Sequence, residues 1–323
     1  MRSFGQKSNM KVSLITTVKN ESNSIEAFLD SILRQGKTPE EVVIVDGGST
    51  DQTVRQIKSY SSKIKNLKVF VKKGNRSVGR NFAIKKSTHD IIAVTDAGCI
   101  LDSHWLENIM KPFENKSIDV SSGFYKPQTN SIFEKCLAAY TCTMPDRLDL
   151  QNFLPSSRSV AFRKSAWEKV SGYPENLDTC EDLVFAKRMK LAGLKFMTVK
   201  EAIVLWPQRE NIFQAARQFF LYAKGDGKAH YFRKTTPVLF ARYTLVILIF
   251  TYAIIAGSYI PFFVLFLFLL LYLLWSIQKN YRYIKNWKAF LYLPLLQIVS
   301  DVAVLSGTII GLASNIWDTQ SKQ

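Results

Sequence analysis

Residues 41–53 read EVVIVDGGSTDQT, an apolar run that ends in an aspartate and is followed by two glycines and a Ser-Thr-Asp turn. The run before Asp46 is rich in β-branched residues, which predicts a buried strand. The turn after it predicts a helix capped by Thr50 or Asp51. A strand that passes directly into a helix is typical of α/β proteins, so this stretch decides the fold class.

The same alternation continues on both sides of this stretch. Runs with strand character at Lys11–Val18, Leu67–Val71 and Asp90–Thr95 alternate with helical patterns, one of which begins near Gly79. We therefore expect an α/β fold with a Rossmann-like, mainly parallel sheet and right-handed crossovers. Since ligands bind beyond the carboxyl ends of such strands, the loops that follow the four strands should converge on one site.

The composition indicates a folded protein with a membrane segment. The 323 residues are 47% hydrophobic, which excludes intrinsic disorder, and 43 Lys+Arg against 26 Asp+Glu give a net charge of +17 at pH 7. From Tyr243 to Gln278 no side chain is charged, and this stretch is too long for one span. The positive charge alone would suit nucleic acid or an anionic membrane surface. Beside such an apolar stretch it favours membrane lipids, and we expect no nucleic-acid partner.

Breaks in the apolar sequence predict three spans. Gly257, Ser258 and Pro261 interrupt the first stretch, and a third apolar stretch follows the basic loop 279–288. The predicted organisation is a catalytic domain at 1–208, an amphipathic interfacial helix with a basic linker at 209–236, and a transmembrane region at 237–315 with helices at 237–256, 259–277 and 289–313.

The basic residues also predict the orientation. The clusters at 224–234 and 279–288 flank the first two spans, which by the positive-inside rule makes this an integral protein of the cell membrane with a cytoplasmic catalytic domain. Residues 1–10 (MRSFGQKSNM) contain no apolar run, so we expect no cleavable signal peptide. Arg242 is expected to snorkel to the cytoplasmic face. Asp301 is expected to face another helix or the cytosolic domain, and within a helix bundle Ser300 or Ser306 would be its partner.

Five ordered motifs together resemble glycosyltransferase family 2, whose members have an A-type nucleotide-sugar-binding fold. They are TTVKNES (16–22), VVIVDGGSTDQT (42–53), GNRSVGRNFAI (74–84), IIAVTDAGC (91–99) and CEDLVFAKRMKLAG (180–193). The resemblance covers about residues 10 to 220. It implies a membrane-bound, inverting enzyme that uses a nucleotide-sugar donor.

For the donor, the resemblance implies that Asp46 contacts the nucleobase, with Thr17 and Glu21 in the flanking loop. Arg80 is a candidate to balance the diphosphate charge through paired N–H donors. The structural alternatives are a turn role for Asp46, a helix cap for Asp51 and a surface arginine at a helix start for Arg80.

Asp96 stands where the family has the first acid of its DxD motif, and Gly98 replaces the second acid. The resemblance implies a divalent cation, Mg²⁺ or Mn²⁺, held by Asp96. Such cations take oxygen ligands and often use one or two carboxylates together with substrate phosphates. The alternative is that Asp96 only caps the following helix, for which Asp102 and Ser103 are better placed.

Asp182 resembles the family's base and Glu181 its supporting acid. A carboxylate near the anomeric carbon can accept the acceptor's proton as the new bond forms. The alternative is that both acids only stabilise a helix start through the helix dipole.

Downstream, Gln214 and Arg217 partly match the QxxRW motif of processive members and are candidate acceptor-side residues. Gln218 stands in place of the Trp, which argues against polymer synthesis.

The sequence thus predicts a glycosyltransferase that moves a sugar to a lipid-linked or glycan acceptor at the cytosolic face. A non-catalytic nucleotide-sugar binder or assembly partner is the alternative, because the second acid of DxD is missing. A nucleotidyltransferase is disfavoured by the lack of a GxGTR-type loop near the first strand. Sugar, nucleotide and acceptor identities are left open by the sequence.

Overall fold

A computed structural model describes residues 10–150 and 153–320 of the chain. These residues form two compact units. The first runs to Gln128 and continues over Asp146–Pro207, and the second comprises Thr129–Pro145 and the chain from Gln208 onward. Residues 1–9, for which no signal peptide is predicted, lie outside the described residues.

The strands all lie in the first unit, and the helices are shared between the two units. The strands are β1 (Val12–Val18), β2 (Glu41–Asp46), β3 (Leu67–Val71), β4 (Ile91–Val94), β5 (Ile100–Leu101), β6 (Val120–Gln128), β7 (Val160–Arg163) and β8 (Phe196–Pro207). The helices of the first unit are α1 (Ile25–Leu33), α2 (Thr53–Ser59), α3 (Arg76–Lys86), α4 (Trp105–Met110), α6 (Lys164–Lys169) and α7 (Glu181–Leu191). Those of the second are α5 (Ile132–Thr141), α8 (Ile212–Lys228), α9 (Thr235–Ala256), α10 (Ile260–Ile284) and α11 (Ala289–Gln320).

One mixed sheet organises the first unit, in the strand order β3-β2-β1-β4-β7-β6-β8-β5. Strands β3, β2, β1 and β4 run parallel, which confirms the predicted Rossmann-like half. The other half departs from a mainly parallel sheet, because β7 pairs antiparallel with both β4 and β6. Strand β7 follows a stretch of chain that passes through the second unit. It is not joined to a neighbouring strand by a single crossover helix, so the rule that makes such strands parallel does not apply to it.

The central strands are apolar because both of their faces are covered. All of β2 is buried, and residues of β1, β2, β4 and β7 form one core cluster with α3 and α7. Helix α3 begins at Arg76, where the Asn75 side chain accepts a hydrogen bond from the backbone N–H of Val78 at 3.1 Å. Its Gly79 lies so close to β1 that a Cβ there would be 2.6 Å from Cγ2 of Thr17. The start of α3 therefore lies directly against the strands that precede the predicted site.

Among the described residues, three helices of the second unit are long and apolar enough to cross a membrane: Thr235–Ala256, Ile260–Ile284 and Ala289–Ser314. They correspond to the spans predicted at 237–256, 259–277 and 289–313. The turn between the first two uses Gly257, whose φ of 60° lies in the left-handed region that glycine adopts without strain. Helix α10 continues beyond 277 to Ile284 and ends where Lys285 adopts the same region.

Small residues bring α8 and α11 together. Gly307 and Gly311 form a GxxxG pattern on α11, which is common where helices pack closely in membranes. A Cβ at Gly307 would lie 2.5 Å from the Phe220 carbonyl oxygen, and one at Gly227 of α8 would lie 2.6 Å from the Thr308 carbonyl oxygen. Because these neighbours are backbone atoms, a side chain would force the helices apart.

Packing on α11 accounts for part of the apolar stripe that suggested an interfacial helix at 209–236. Phe219 and Ala223 are buried in the second unit, whereas Phe213 is 83% exposed. Helix α5 joins the same core through Cys136 and Leu137. Binding of α8 to a membrane surface stays a prediction.

A buried polar cluster joins α9, α10 and α11. Asp301 Oδ2 accepts hydrogen bonds from Arg242 at 2.9 Å, Tyr243 at 3.0 Å and Tyr272 at 2.7 Å, and Oδ1 accepts one from Gln297 at 2.9 Å. The expected partners of Asp301, Ser300 or Ser306, are therefore replaced by side chains from three helices. Arg242 forms an ion pair with Asp301, whereas snorkelling to the cytoplasmic face is the prediction from sequence. In the ion pair, each of the two charges has an opposite charge as its partner.

We predict that Gly311→Val separates α8 from α11. A Cβ at Gly311 would meet the backbone of Lys224, which cannot move aside as a side chain can. The expected loss is about 1–3 kcal/mol, as for other overpacked sites, seen as a lower melting temperature of the detergent-solubilised protein. Ala241→Val, at an exposed position of α9, is the matched control. Equal melting temperatures for the two variants would contradict the close packing.

We predict that Arg242→Met destabilises the second unit, because it leaves the buried Asp301 carboxylate without its cation. The expected loss is about 3 kcal/mol. The double variant Arg242→Met/Asp301→Leu should recover most of it, since no charge is then left unpaired. Thermal unfolding in one detergent measures both. A double variant no more stable than Arg242→Met would show that the ion pair is not the source of the effect.

Candidate functional site

The predicted donor-side residues lie at the carboxyl ends of the parallel strands. Glu21 follows β1, Asp46 ends β2, and Asp96 follows β4. Since β3, β2, β1 and β4 run parallel, these ends share one edge of the sheet. That edge is where open α/β sheets bind ligands.

Asp46 holds the turn that follows β2. Its Oδ2 accepts hydrogen bonds from the backbone N–H groups of Gly48 and Ser49, both at 2.9 Å, and its Oδ1 accepts one from the Ser49 hydroxyl. The side chain is 1% exposed. This is the structural role weighed against nucleobase binding. Because a carboxylate has about four lone-pair positions, the two roles are compatible, and the nucleobase contact stays a prediction.

Asp51 and Glu21 connect the loops after β1 and β2. Asp51 accepts hydrogen bonds from the hydroxyl and backbone N–H of Thr53 at 2.6 and 3.0 Å, and from the backbone N–H of Ser22 at 3.2 Å. The Thr53 hydroxyl is the largest influence on the Asp51 carboxyl, and these bonds lower its pKa to about 2. Asp51 thus closes the turn before α2, whose N-cap position is Gln52, so the cap predicted at Thr50 or Asp51 lies one or two residues too early. Glu21 donates its backbone N–H to Thr53 at 2.8 Å, and its side chain accepts from the Ser24 hydroxyl at 2.6 Å.

Arg80 lies at the centre of the site, between two carboxylates. Its guanidinium donates to Asp96 Oδ1 and to Glu181 Oε1, each at 2.7 Å, and the residue is 2% exposed. The Tyr173 ring lies against it, with the centroid 5.3 Å from the guanidinium carbon. Arg80 is thus a buried cation rather than a surface arginine. Two of its five N–H donors are already used by protein carboxylates, so fewer donors are left for the predicted contact with the diphosphate.

Asp96 is open on one side. Its side chain is 33% exposed, and a Cβ at Gly98 would meet no atom within 4 Å. Burial tends to raise the Asp96 pKa, but the charges of Arg80, Arg158 and Arg76 outweigh it, so the pKa lies below its usual value. The carboxylate is therefore ionised at neutral pH.

These residues fit a divalent cation with one protein ligand. Within residues 10–150 and 153–320, no three His, Cys, Asp or Glu side chains cluster as a metal site. Asp96 offers one carboxylate beside open space, and Mg²⁺ is often held by one carboxylate together with substrate phosphates and water.

Glu181 and Asp182 occupy the first turn of α7, after Cys180 in the left-handed region at φ 67°. Burial raises the pKa of Glu181, against the opposing charge of Arg80. Asp182 is less buried, and it accepts hydrogen bonds from the backbone N–H of Leu183 at 2.8 Å and of Ser157 at 3.3 Å. The two acids therefore have different environments: one is paired with Arg80, and the other faces the loop before β7.

Two residues of the site, Arg158 and Tyr173, lie outside the motifs from which site residues were predicted. The guanidinium carbon of Arg158 lies 3.8 Å from the centroid of the Trp206 ring, and its charge acts on Asp96. The Tyr173 hydroxyl is 3.0 Å from the Ser157 hydroxyl, and burial raises the Tyr173 pKa. Arg158 lies just before β7, outside the five sequence motifs, and its aromatic partner Trp206 is distant along the chain.

The predicted acceptor-side residues belong to the second unit. Gln214 and Arg217 are both exposed on α8, and the Gln214 side chain accepts a hydrogen bond from the backbone N–H of Glu210 at 3.2 Å. Gln218 is buried instead, with Arg209 donating to it at 3.3 Å. The acceptor role of Gln214 and Arg217 stays a prediction, as do the donor roles of Thr17 and Glu21.

Comparisons with known proteins point to one family of enzymes. Residues 13–165 match the model of glycosyl transferase family 2. The O-antigen chain rhamnosyltransferase RfbN of Salmonella typhimurium is 28% identical over 60% of this chain and 66% of its own length. The glycosyltransferase AglE of Haloferax volcanii is 25% identical over 61% and 67%. The chain thus spans about two thirds of the length of these relatives.

Two solved structures share the fold. The mannosyltransferase PcManGT from Pyrobaculum calidifontis, solved with GDP-Man and Mn²⁺, has a TM-score of 0.62 and 20% identity, over 91% of this chain and 87% of its own. TarS of S. aureus, residues 1–349 with UDP-GlcNAc, has a TM-score of 0.50 and 22% identity over 66% of each chain. The motifs, the sheet and the family match agree: residues 13–165 form a glycosyl transferase family 2 domain, and the chain has the A-type fold that its sequence predicts.

Proposed function

We propose that this protein is a membrane-bound, inverting glycosyltransferase. It moves a sugar from a nucleotide-sugar donor to a lipid-linked or glycan acceptor at the cytosolic face of the cell membrane. The observation that carries the proposal is the buried Arg80, which joins Asp96 at the donor-side edge of the sheet to Glu181, the neighbour of Asp182. One ion-pair network thus connects the donor end with the candidate base.

Asp182 is the proposed base. Its carboxylate accepts the proton of the acceptor hydroxyl while that oxygen attacks the anomeric carbon from the face opposite the leaving diphosphate. The bond between the anomeric carbon and the diphosphate oxygen breaks, and its electron pair stays on the phosphate. Attack from the opposite face inverts the anomeric configuration. The backbone N–H groups of Leu183 and Ser157 orient the carboxylate.

Arg80 and Glu181 are proposed as positioning residues. Glu181 is 4% exposed, and its contact with Arg80 holds the first turn of α7 in place. Asp96 would hold Mg²⁺ or Mn²⁺ together with the donor diphosphate. When bound, the ion neutralises charge on the leaving group. The relative whose structure contains GDP-Man and Mn²⁺ supports this cofactor.

The membrane placement rests on three apolar helices and on the basic segments at 224–234 and 279–288. Relatives named as O-antigen chain rhamnosyltransferase and poly(ribitol-phosphate) beta-glucosyltransferase support a glycan or lipid-linked acceptor.

The competing proposal is a non-catalytic nucleotide-sugar binder, favoured by Gly98 in place of the second acid. Release of nucleoside diphosphate from a panel of nucleotide-sugars, with metal and a lipid extract, separates the two. No release with any donor would favour the binder.

We predict that Asp182→Asn abolishes transfer but leaves donor binding intact. Loss of a general base costs about 10²–10⁴-fold in rate, whereas the donor contacts lie on other residues. Turnover is measured as nucleoside diphosphate release, and donor affinity by calorimetry with the full chain in detergent. Asp178→Asn, an exposed aspartate just before α7, is the matched control and should retain full activity. Turnover by Asp182→Asn within a few fold of wild type would refute the assignment.

We predict that Asp96→Asn removes the effect of metal on donor affinity. In the wild type, adding Mn²⁺ after chelation should tighten nucleotide-sugar binding about tenfold or more, because the ion joins the carboxylate to the diphosphate. In Asp96→Asn, Mn²⁺ should change the affinity little. Asp90→Asn, at the exposed opposite end of β4, is the control for net charge. An equal Mn²⁺ effect in Asp96→Asn and wild type would exclude Asp96 as the ligand.

A further inference from the structure

We infer that Arg158 is a further catalytic residue, whose guanidinium binds the diphosphate of the donor and stabilises it as the leaving group. This inference rests on the proposed function. It adds a residue for which the sequence motifs predicted no role.

The site needs a cation that Arg80 does not fully supply. Breaking the glycosidic bond leaves a negative charge on the diphosphate, and preorganised N–H donors or cations stabilise such charge. Two donors of Arg80 are directed to Asp96 and Glu181. With Gly98 in the place of the second acid, a metal ion would also have one protein carboxylate fewer. A second arginine that acts on the same region would supply the missing charge.

The backbone on both sides of Arg158 is fixed. Ser157 is 2% exposed, shares a hydrogen bond with the Tyr173 hydroxyl, and donates its N–H to Asp182. Ser159 is 1% exposed, accepts from the Trp105 indole at 2.8 Å, and donates to a backbone carbonyl at 3.0 Å. Arg158 therefore follows directly the residue that orients the candidate base, on a segment with little freedom to move.

Two aromatic rings hold the Arg158 guanidinium. Its carbon lies 3.8 Å from the centroid of the Trp206 ring and 5.4 Å from that of Tyr125, and the two rings pack edge to face. A guanidinium stacked by its face directs its N–H donors outward in its own plane, in the forked geometry that matches phosphate oxygens. The aromatic pair thus orients a phosphate-binding group.

Arg158 lies at the donor end of the site. Strand β7 pairs antiparallel with β4, with Val160 opposite Val94, and the same register continued by two residues sets Arg158 opposite Asp96. Arg158 is therefore linked to Asp96 through the strand register and to Asp182 through the adjacent backbone. A diphosphate bound at Asp96, with its sugar directed toward Asp182, would pass within its field.

The role is electrostatic and involves no proton transfer from Arg158. The acceptor oxygen bonds to the anomeric carbon, its proton passes to Asp182, and the bond to the phosphate oxygen breaks with the electron pair on that oxygen. Arg158 remains protonated, since a guanidinium is not deprotonated in proteins, and donates hydrogen bonds to the phosphate oxygens.

The test compares nucleoside diphosphates with nucleosides, using the full chain in detergent and UDP, GDP and dTDP with their nucleosides as probes. Arg158→Gln should weaken diphosphate binding about tenfold or more while nucleoside binding stays within about twofold, and should lower kcat by about 10²-fold. Arg158→Lys keeps the charge but loses the fork, and should fall between Arg158→Gln and wild type. Arg188→Gln, on the exposed face of α7, is the matched control.

Each outcome decides the inference. Equal loss of nucleoside and diphosphate affinity would show that Arg158 only supports the fold. Unchanged diphosphate affinity and kcat in Arg158→Gln, with a wild type that binds diphosphates, would overturn the role of Arg158 alone. A wild type that binds none of the three diphosphates would refute the proposed function itself, and the inference with it.

Discussion

The buried cation of Arg80 is the interaction on which the candidate site depends. Its two ion pairs connect residues from three separate parts of the chain: the start of α3, the loop after β4 and the first turn of α7. Removing one partner from a buried ion pair leaves an uncompensated charge and costs about 3–5 kcal/mol. The network therefore holds Asp96 and Glu181 in fixed positions, and the adjacent Asp182 is positioned with them.

Beside Arg80, the neighbouring acids Glu181 and Asp182 lie in different environments. Glu181 is buried against Arg80, whereas Asp182 is less buried and held by backbone N–H groups. Neighbouring acids with different surroundings are suited to different roles, one structural and one in proton transfer. Arg158 follows Ser157, which donates its backbone N–H to Asp182, and its guanidinium lies over the rings of Trp206 and Tyr125.

The two units use different physical means to fix their elements. In the first, apolar strands are buried on both faces and glycine at position 79 lets α3 approach β1. In the second, helix packing depends on the small residues Gly227, Gly307 and Gly311, and on the ion pair of Arg242 with Asp301. Apolar surface alone would not define the contacts between such helices in a membrane, because lipid is equally apolar. Close backbone approach and polar pairs supply that specificity.

The sequence by itself determined the parallel half of the sheet, the family and the existence of three apolar helices, because local periodicity and ordered motifs reflect elements that form from nearby residues. It also predicted site roles for Asp96, Glu181 and Asp182. It could not show that Arg80 joins two of them, that Asp301 pairs with Arg242, or that Arg158 stacks on Trp206. These contacts join residues distant along the chain, and no local pattern encodes them. Only the tertiary structure decides which charges are buried together, because the burial that makes an ion pair obligatory exists only after the elements have packed.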